Sequence, residues 1–341
     1  MDHQRKSGER WRKPATRLAL LGAAWGALAT AACAADRPEH ASGAAQSITG
    51  GNFDLSHSNV FLLAARDGDR VGLCTATLLA PNLLLTARHC VSPSSHEVVR
   101  CGRAALGEPF PASAFFATND AEPSDDSRVF KALAVEVPGE GADTCGYDIA
   151  LVVLSEGVPA EVAVPAVPRI DRAVAPGETY TAVGYGVDAA GETSGRRMQL
   201  GGLLVSCEPG ACDATVIKAT EFLGDSGVCS GDSGGPALDE DDKVVGVVSR
   251  GGPDCTTPIY GSITGWSDFI IRVASQAAEL GGYEAPFWVT SGSSEPPALG
   301  APSEPRLRDS SCALGLGART PSAAHAWWLL AALAVLVRRR H

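Results

Sequence analysis

Histidine and methionine are scarce in this chain of 341 residues. It holds seven histidines and two methionines, and no cysteine pair stands at the Cys-x-x-Cys spacing of zinc sites. Neither a metal nor a cofactor is expected. Long apolar runs are also missing. The run from Ala326 to Val337 has twelve residues, against about 20 for a membrane-spanning helix. Positive charge is thin where it would matter for nucleic acid. The chain carries 28 basic and 39 acidic residues, a formal net charge of −11, and nine of the basic residues lie at the two ends. Without the ends the net charge is near −18, which argues against a nucleic-acid partner.

The two ends read as targeting segments. Residues 1–33 have the order of an export signal. A basic stretch (Arg5, Lys6, Arg10, Arg12, Lys13, Arg17) precedes an apolar run from Leu18 to Ala32, then Cys33. Cleavage fits Ala29-Thr30-Ala31, and Ala31-Ala32-Cys33 also resembles the site before a lipidated cysteine in bacterial lipoproteins. At the other end, residues 281–311 read as a linker, rich in Ser, Pro and Gly from Ser291 onward. Residues 312–341 hold Cys312, the short apolar run and Arg338 to Arg340. They resemble the C-terminal sorting tags of myxobacteria, with a plain membrane anchor or a buried terminal helix as the alternatives. These ends imply a bacterial protein that is secreted or held at the cell surface. Between them lie eight cysteines, at 74, 90, 101, 145, 207, 212, 229 and 255, an even number suited to bridges in an oxidising compartment.

From Ile48 to Leu280 short apolar runs alternate with turn residues, as in Leu83 to Thr86, Ile149 to Leu154 and Val244 to Val248. Such runs predict the strands of a β-barrel or sandwich. One segment has helical spacing: Trp266, Phe269, Ile270, Val273 and Ala277 predict a helix to about Leu280, capped by Ser267 or Asp268. The proline-rich stretch from Val158 to Ala175 reads as a connection between two halves, about 48–160 and 175–265.

The most informative stretch is Gly231-Asp232-Ser233-Gly234-Gly235-Pro236. A hydroxyl between glycines is unhindered, and such turns can aim several N–H groups at one point. A serine oxygen needs a base to become nucleophilic. His89, in Thr86-Ala87-Arg88-His89-Cys90, follows an apolar strand. Asp148 opens the apolar run Ile149-Ala150-Leu151, where its carboxylate needs a hydrogen-bonding partner. Either residue alone is more simply structural. The order His89, Asp148, Ser233 with these flanking residues resembles the trypsin/chymotrypsin family of serine endopeptidases. A lipase-like hydrolase would run Ser, Asp, His instead.

That resemblance covers residues 48–280 and implies an all-β fold of two packed antiparallel six-stranded β-barrels with a C-terminal helix. It implies Ser233 as nucleophile, His89 as base and Asp148 as its orienter, with the amides of Gly231 and Ser233 binding the oxyanion. It also implies the bridges Cys74–Cys90 and Cys229–Cys255. Elimination and proximity then pair Cys101 with Cys145 and Cys207 with Cys212. Ser249-Arg250-Gly251 resembles the strand that pairs with substrate, with Arg250 in place of an aromatic residue. The main pocket would have Gly227 at its base with Val228, Gly251 and Pro258 around it, and Ser249 would bind substrate through its strand. No acid stands there to select Arg or Lys, so small or medium apolar side chains are expected. Ile48-Thr49-Gly50-Gly51 resembles the mature N-terminus whose freed amine pairs with Asp232. Residues 34–47 would then be a propeptide, although Ser47 is not a tryptic site. The expected partners are protein or peptide substrates, met by a monomer. The competing reading is a silent homologue serving as a surface binding module, and three intact triad positions argue against it.

Overall fold

The structure is a computed structural model that describes residues 48, 51–68, 70–94, 99–186, 195–252 and 255–297. The proposed export signal, the propeptide up to Ser47 and the C-terminal tag lie outside the described residues. Among the described residues no helix is long and apolar enough to cross a membrane.

Among the described residues there are thirteen strands: β1 (Asn52–Phe53), β2 (Val60–Asp67), β3 (Arg70–Ala80), β4 (Leu83–Thr86), β5 (Phe115–Thr118), β6 (Phe130–Glu136) and β7 (Ala150–Leu154) come first. After the proline-rich connection come β8 (Thr179–Gly184), β9 (Met198–Leu204), β10 (Glu221–Leu223), β11 (Pro236–Leu238), β12 (Val244–Arg250) and β13 (Ile259–Ser262). Strands β2-β3-β4-β7-β6-β5 close into a six-stranded antiparallel barrel. β4 and β7 are buried along their whole length. This explains their unbroken apolar sequence: the barrel core covers one face and neighbouring elements the other.

The second half departs from the expected closed barrel. Its seven strands form one sheet in the order β1-β9-β8-β11-β12-β13-β10. Where β9 and β10 would close it, the contact shrinks to one bridge between Cys207 and Leu223. Two features cause this. β1 already pairs with Gln199 and Met198 at the start of β9, and the chain beyond β9 turns into the loop closed by Cys207–Cys212. An aromatic cluster fills this half, with Phe222 stacked on Tyr260 at 5.0 Å and Tyr180 edge-on to both.

A helix from Ser267 to Gly281 packs Phe269, Ile270, Val273, Ala274 and Ala277 into the first barrel's core. Its apolar stripe was legible, but neither Ser267 nor Asp268 caps it. A 3₁₀ turn, Thr264–Trp266, leads directly into it. The supposed linker is also corrected in its first part. Residues 283–295 fold back, with a short helix (Phe287–Ser291) burying Trp288 to 2% exposure. Ser294 then bonds the carboxylate of Asp171 and accepts from the amide of Ile170. Burying one tryptophan supplies enough apolar area to order a short segment.

Candidate active site

Strand register brings the first two candidate residues together. Thr86 at the end of β4 pairs with Ala150 at the start of β7. His89 lies three residues past one and Asp148 two residues before the other, so both emerge at one barrel edge. His89 sits in a 3₁₀ turn, Arg88–Cys90, anchored by the Cys74–Cys90 disulfide to β3. The Asp148 loop is braced by Cys101–Cys145 and by the Asp143 carboxylate, which accepts from the amide of Cys145.

Asp148 is buried and grips His89 twice. His89 Nδ1 donates to Oδ2 at 2.7 Å, and its backbone amide donates to Oδ1 at 2.8 Å. Ser249 Oγ donates to the same Oδ2 at 2.6 Å. Burial disfavours both charged forms, yet each partner's charge and these bonds prevail. The imidazole pKa is raised and the carboxylate pKa is lowered, while Arg250 pulls the imidazole back down. The side chain of His89 stays 25% exposed.

The Ser233 turn is fastened to the same corner. Thr75 on β3 donates its amide to the Ser233 carbonyl at 2.8 Å and its hydroxyl to the Gly231 carbonyl at 2.9 Å. Gly234 has φ of +82°, and a Cβ there would lie 2.1 Å from Thr86 Oγ1. Only glycine lets the turn rest on the end of β4. The amides of Asp232, Gly234 and Gly235 donate to Cys229, Val248 and Asp232 carbonyls. Those of Gly231 and Ser233 donate to no group among the described residues. Two free amides one residue apart, flanking a serine, are suited to hold a developing negative oxygen. Among the described residues no hydrogen bond joins Ser233 Oγ to His89 Nε2. Such bonds often tighten only with substrate bound.

Asp232 is fully buried, accepting from the amides of Gly186 (2.8 Å) and Cys229 (2.9 Å). Burial pushes its pKa up to about 7, the two amide bonds offsetting only part of that. Ile48 is buried in the second half's core at φ +49°. Of the predicted pocket residues, Gly227 is buried at φ +102° and Val228 packs into that core at 4% exposure. Pro258 is buried and its carbonyl accepts from Gly224, while Gly251 is exposed. The hydroxyl of Ser249 serves Asp148.

Sequence reading missed two features. A depression of about 210 Å³ beside His89 is lined by Leu63, Leu73, the Cys74–Cys90 bridge and Phe110. Phe110 lies in a loop without any motif, so nothing marked it. The second is the ion pair of Arg250 with Glu221. Cys74, His89 and Cys90 cluster as metal ligands would, but both sulfurs are spent in the disulfide, leaving one imidazole. Cys229–Cys255 ties the residue just before the serine turn to the segment after β12.

A family model described as Trypsin matches residues 48–273. A trypsin from Saccharopolyspora erythraea is 25% identical over 246 residues, covering 68% of this chain and all of that protein. A solved structure described as that of GrC shares the fold, with a TM-score of 0.54 at 19% identity. It covers 67% of this chain and 99% of its own.

Proposed function

Since the chain belongs to the trypsin family and carries its serine protease domain, we propose that it is an active endopeptidase using Ser233, His89 and Asp148. The carrying observation is the doubly held His89–Asp148 pair beside the free amides of Gly231 and Ser233. Ser233 Oγ attacks the substrate carbonyl carbon while His89 Nε2 takes its proton. The oxyanion rests on the two amides, and the proton passes to the leaving amine. Water then attacks the acyl-enzyme by the same route, releasing the acid and restoring Ser233.

Cleavage follows small or medium apolar residues. The absence of an acid at Gly227 supports this, and a hydrophobic pocket of this kind discriminates size only modestly. The depression formed by Leu63, Leu73 and Phe110 supports an apolar residue on the leaving-group side. Activation occurs by cutting before Ile48. A freed amine would give the buried Asp232 carboxylate the cation it lacks, which supports a latent precursor. Until then the raised pKa makes folding less favourable as pH climbs from about 4 to about 7. The signal-like N-terminus and the disulfides support export, and the C-terminal segment supports retention at the bacterial surface; the enzyme acts as a monomer.

The test is labelling of the processed protein by a fluorophosphonate probe, with Ser233→Ala as control, followed by a peptide-library profile. Labelling lost in the variant is expected. No labelling of the processed chain removes the enzyme reading, and a profile dominated by Arg or Lys removes the pocket assignment.

A further inference from the structure

Arg250 follows Ser249, whose hydroxyl holds Asp148, yet its own side chain does not reach into the open. It is only 10% exposed and grips Glu221, itself 2% exposed, with both terminal nitrogens: Nη1 to Oε1 at 2.5 Å and Nη2 to Oε2 at 2.9 Å. Nη1 also reaches Ser249 Oγ at 3.3 Å, and Nη2 donates to the Val216 carbonyl at 2.7 Å. Glu221 is equally committed. Its Oε1 accepts from the amide of Gly146 at 2.7 Å and its Oε2 from the amide of Lys218 at 2.8 Å. Gly146 stands two residues before Asp148, and its carbonyl accepts from Thr220 Oγ1 at 2.7 Å.

One buried, forked ion pair therefore ties three segments: the β12 end bearing Ser249, the loop bearing Asp148, and the 216–221 loop. A forked guanidinium fixes angle as well as distance, which a lysine cannot do. We propose that Glu221 and Arg250 are positioning residues that hold the Asp148 loop against Ser249 and set the charge felt by His89. This rests on the reading of His89 and Asp148 as the reactive pair. The charged groups facing the imidazole are Asp148 and Arg250, the latter balanced by Glu221. Arg88 acts at one remove through Asp148, with Glu108 beside it.

The two partners make opposite electrostatic contributions, and that separates this role from simple scaffolding. In Glu221→Gln the Arg250 charge stands unbalanced, so the His89 titration midpoint should fall. In Arg250→Gln the midpoint should rise. Each displacement should be about half a pH unit, read by NMR of the imidazole in the uncleaved chain. That reading needs no catalysis, so it stands apart from the probe-labelling test of the enzyme. Arg250→Lys keeps the charge and loses the fork. It should leave the midpoint near the wild-type value while the Gly146 amide exchanges about tenfold faster. In the processed enzyme it should lower kcat with KM little changed. If a glutamine variant fails to fold, Arg250→Lys carries the test through amide exchange. Midpoints that do not move, or move the same way in both glutamine variants, overturn the proposal. So does an unchanged Gly146 exchange rate in Arg250→Lys.

Discussion

His89 and His57 are held in nearly the same manner. Each points Nδ1 at a buried aspartate, 2.7 Å to Asp148 and 3.1 Å to Asp54. Each aspartate also accepts its histidine's backbone amide and a serine hydroxyl, from Ser249 and Ser56 respectively. Both imidazoles have raised pKa values, their aspartates overcoming the effect of burial. The difference lies on the far side of each ring. His57 Nε2 faces the Asp242 carboxylate at 3.7 Å, whereas His89 Nε2 bonds no described residue and lies near a serine turn with two free amides. Asp54 also carries a second, permanent cation, Arg197, at 3.0 Å. The Asp–His contact alone is thus not a mark of catalysis. The second ring nitrogen must be left for a substrate or nucleophile, and the acid must have no other cation to serve.

Substitution of the rings separates the pairs most widely. His89→Ala in the processed chain should lower kcat/KM on a peptide substrate by about 10⁴-fold or more, while His57→Ala stays within about threefold. Similar losses would erase the distinction. The acids come next. Asp148→Asn should reduce kcat about 10³- to 10⁴-fold with the fold retained. Asp54→Asn should spare activity at low temperature but cost about 3–5 kcal/mol in denaturant unfolding, because Arg197 is left buried without its charge partner.

The pH dependence of stability sharpens the contrast further. The raised His57 pKa adds stability that is whole below about 6.5 and fades as pH climbs through the raised value. Asp54 is held well below the usual carboxylate range, its bonds with His57 and Ser56 outweighing burial. Its contribution is present above about pH 4 and is lost as pH falls through the lowered value. His57→Gln should flatten the neutral-to-alkaline slope of unfolding midpoints and leave an acid limb, and an unaltered slope would place that titration elsewhere. The smallest effects belong to the serines. Ser249→Ala should lower kcat by about tenfold and Ser56→Ala should cost about 1 kcal/mol of stability with activity intact.

Much of this was legible in the residues, and the parts that were not share a cause. Gly231 to Pro236 stands out as a short and unusual pattern, whereas His89 and Asp148 gain their meaning from their order along the chain with it, an order that argues against rival hydrolases. The C-terminal helix was legible from its 3.6-residue stripe, but its start was not, since a preceding 3₁₀ turn replaces a side-chain cap. The second barrel was expected closed because strand count was inferred and strand pairing was not visible. β1 pairs with a strand about 145 residues away, at Gln199, and so takes an edge that closure needs. Trp288 lay in a stretch whose composition reads as linker, and one large ring outweighs the small polar residues around it. The bond of Ser249 to Asp148 was not legible because it spans 101 residues of sequence.

By itself the sequence determined the local chemistry: an unhindered serine in a glycine turn, an imidazole beside a cysteine, an acid at the head of an apolar strand, and strand-forming runs. Those depend on neighbours a few residues away, which every conformation of the chain keeps. Only the tertiary structure decided which aspartate serves which histidine, which amides remain free, and that Arg250 is spent on Glu221. Each of those depends on what a group meets across the fold, where a buried polar atom takes whichever partner the packing brings within reach.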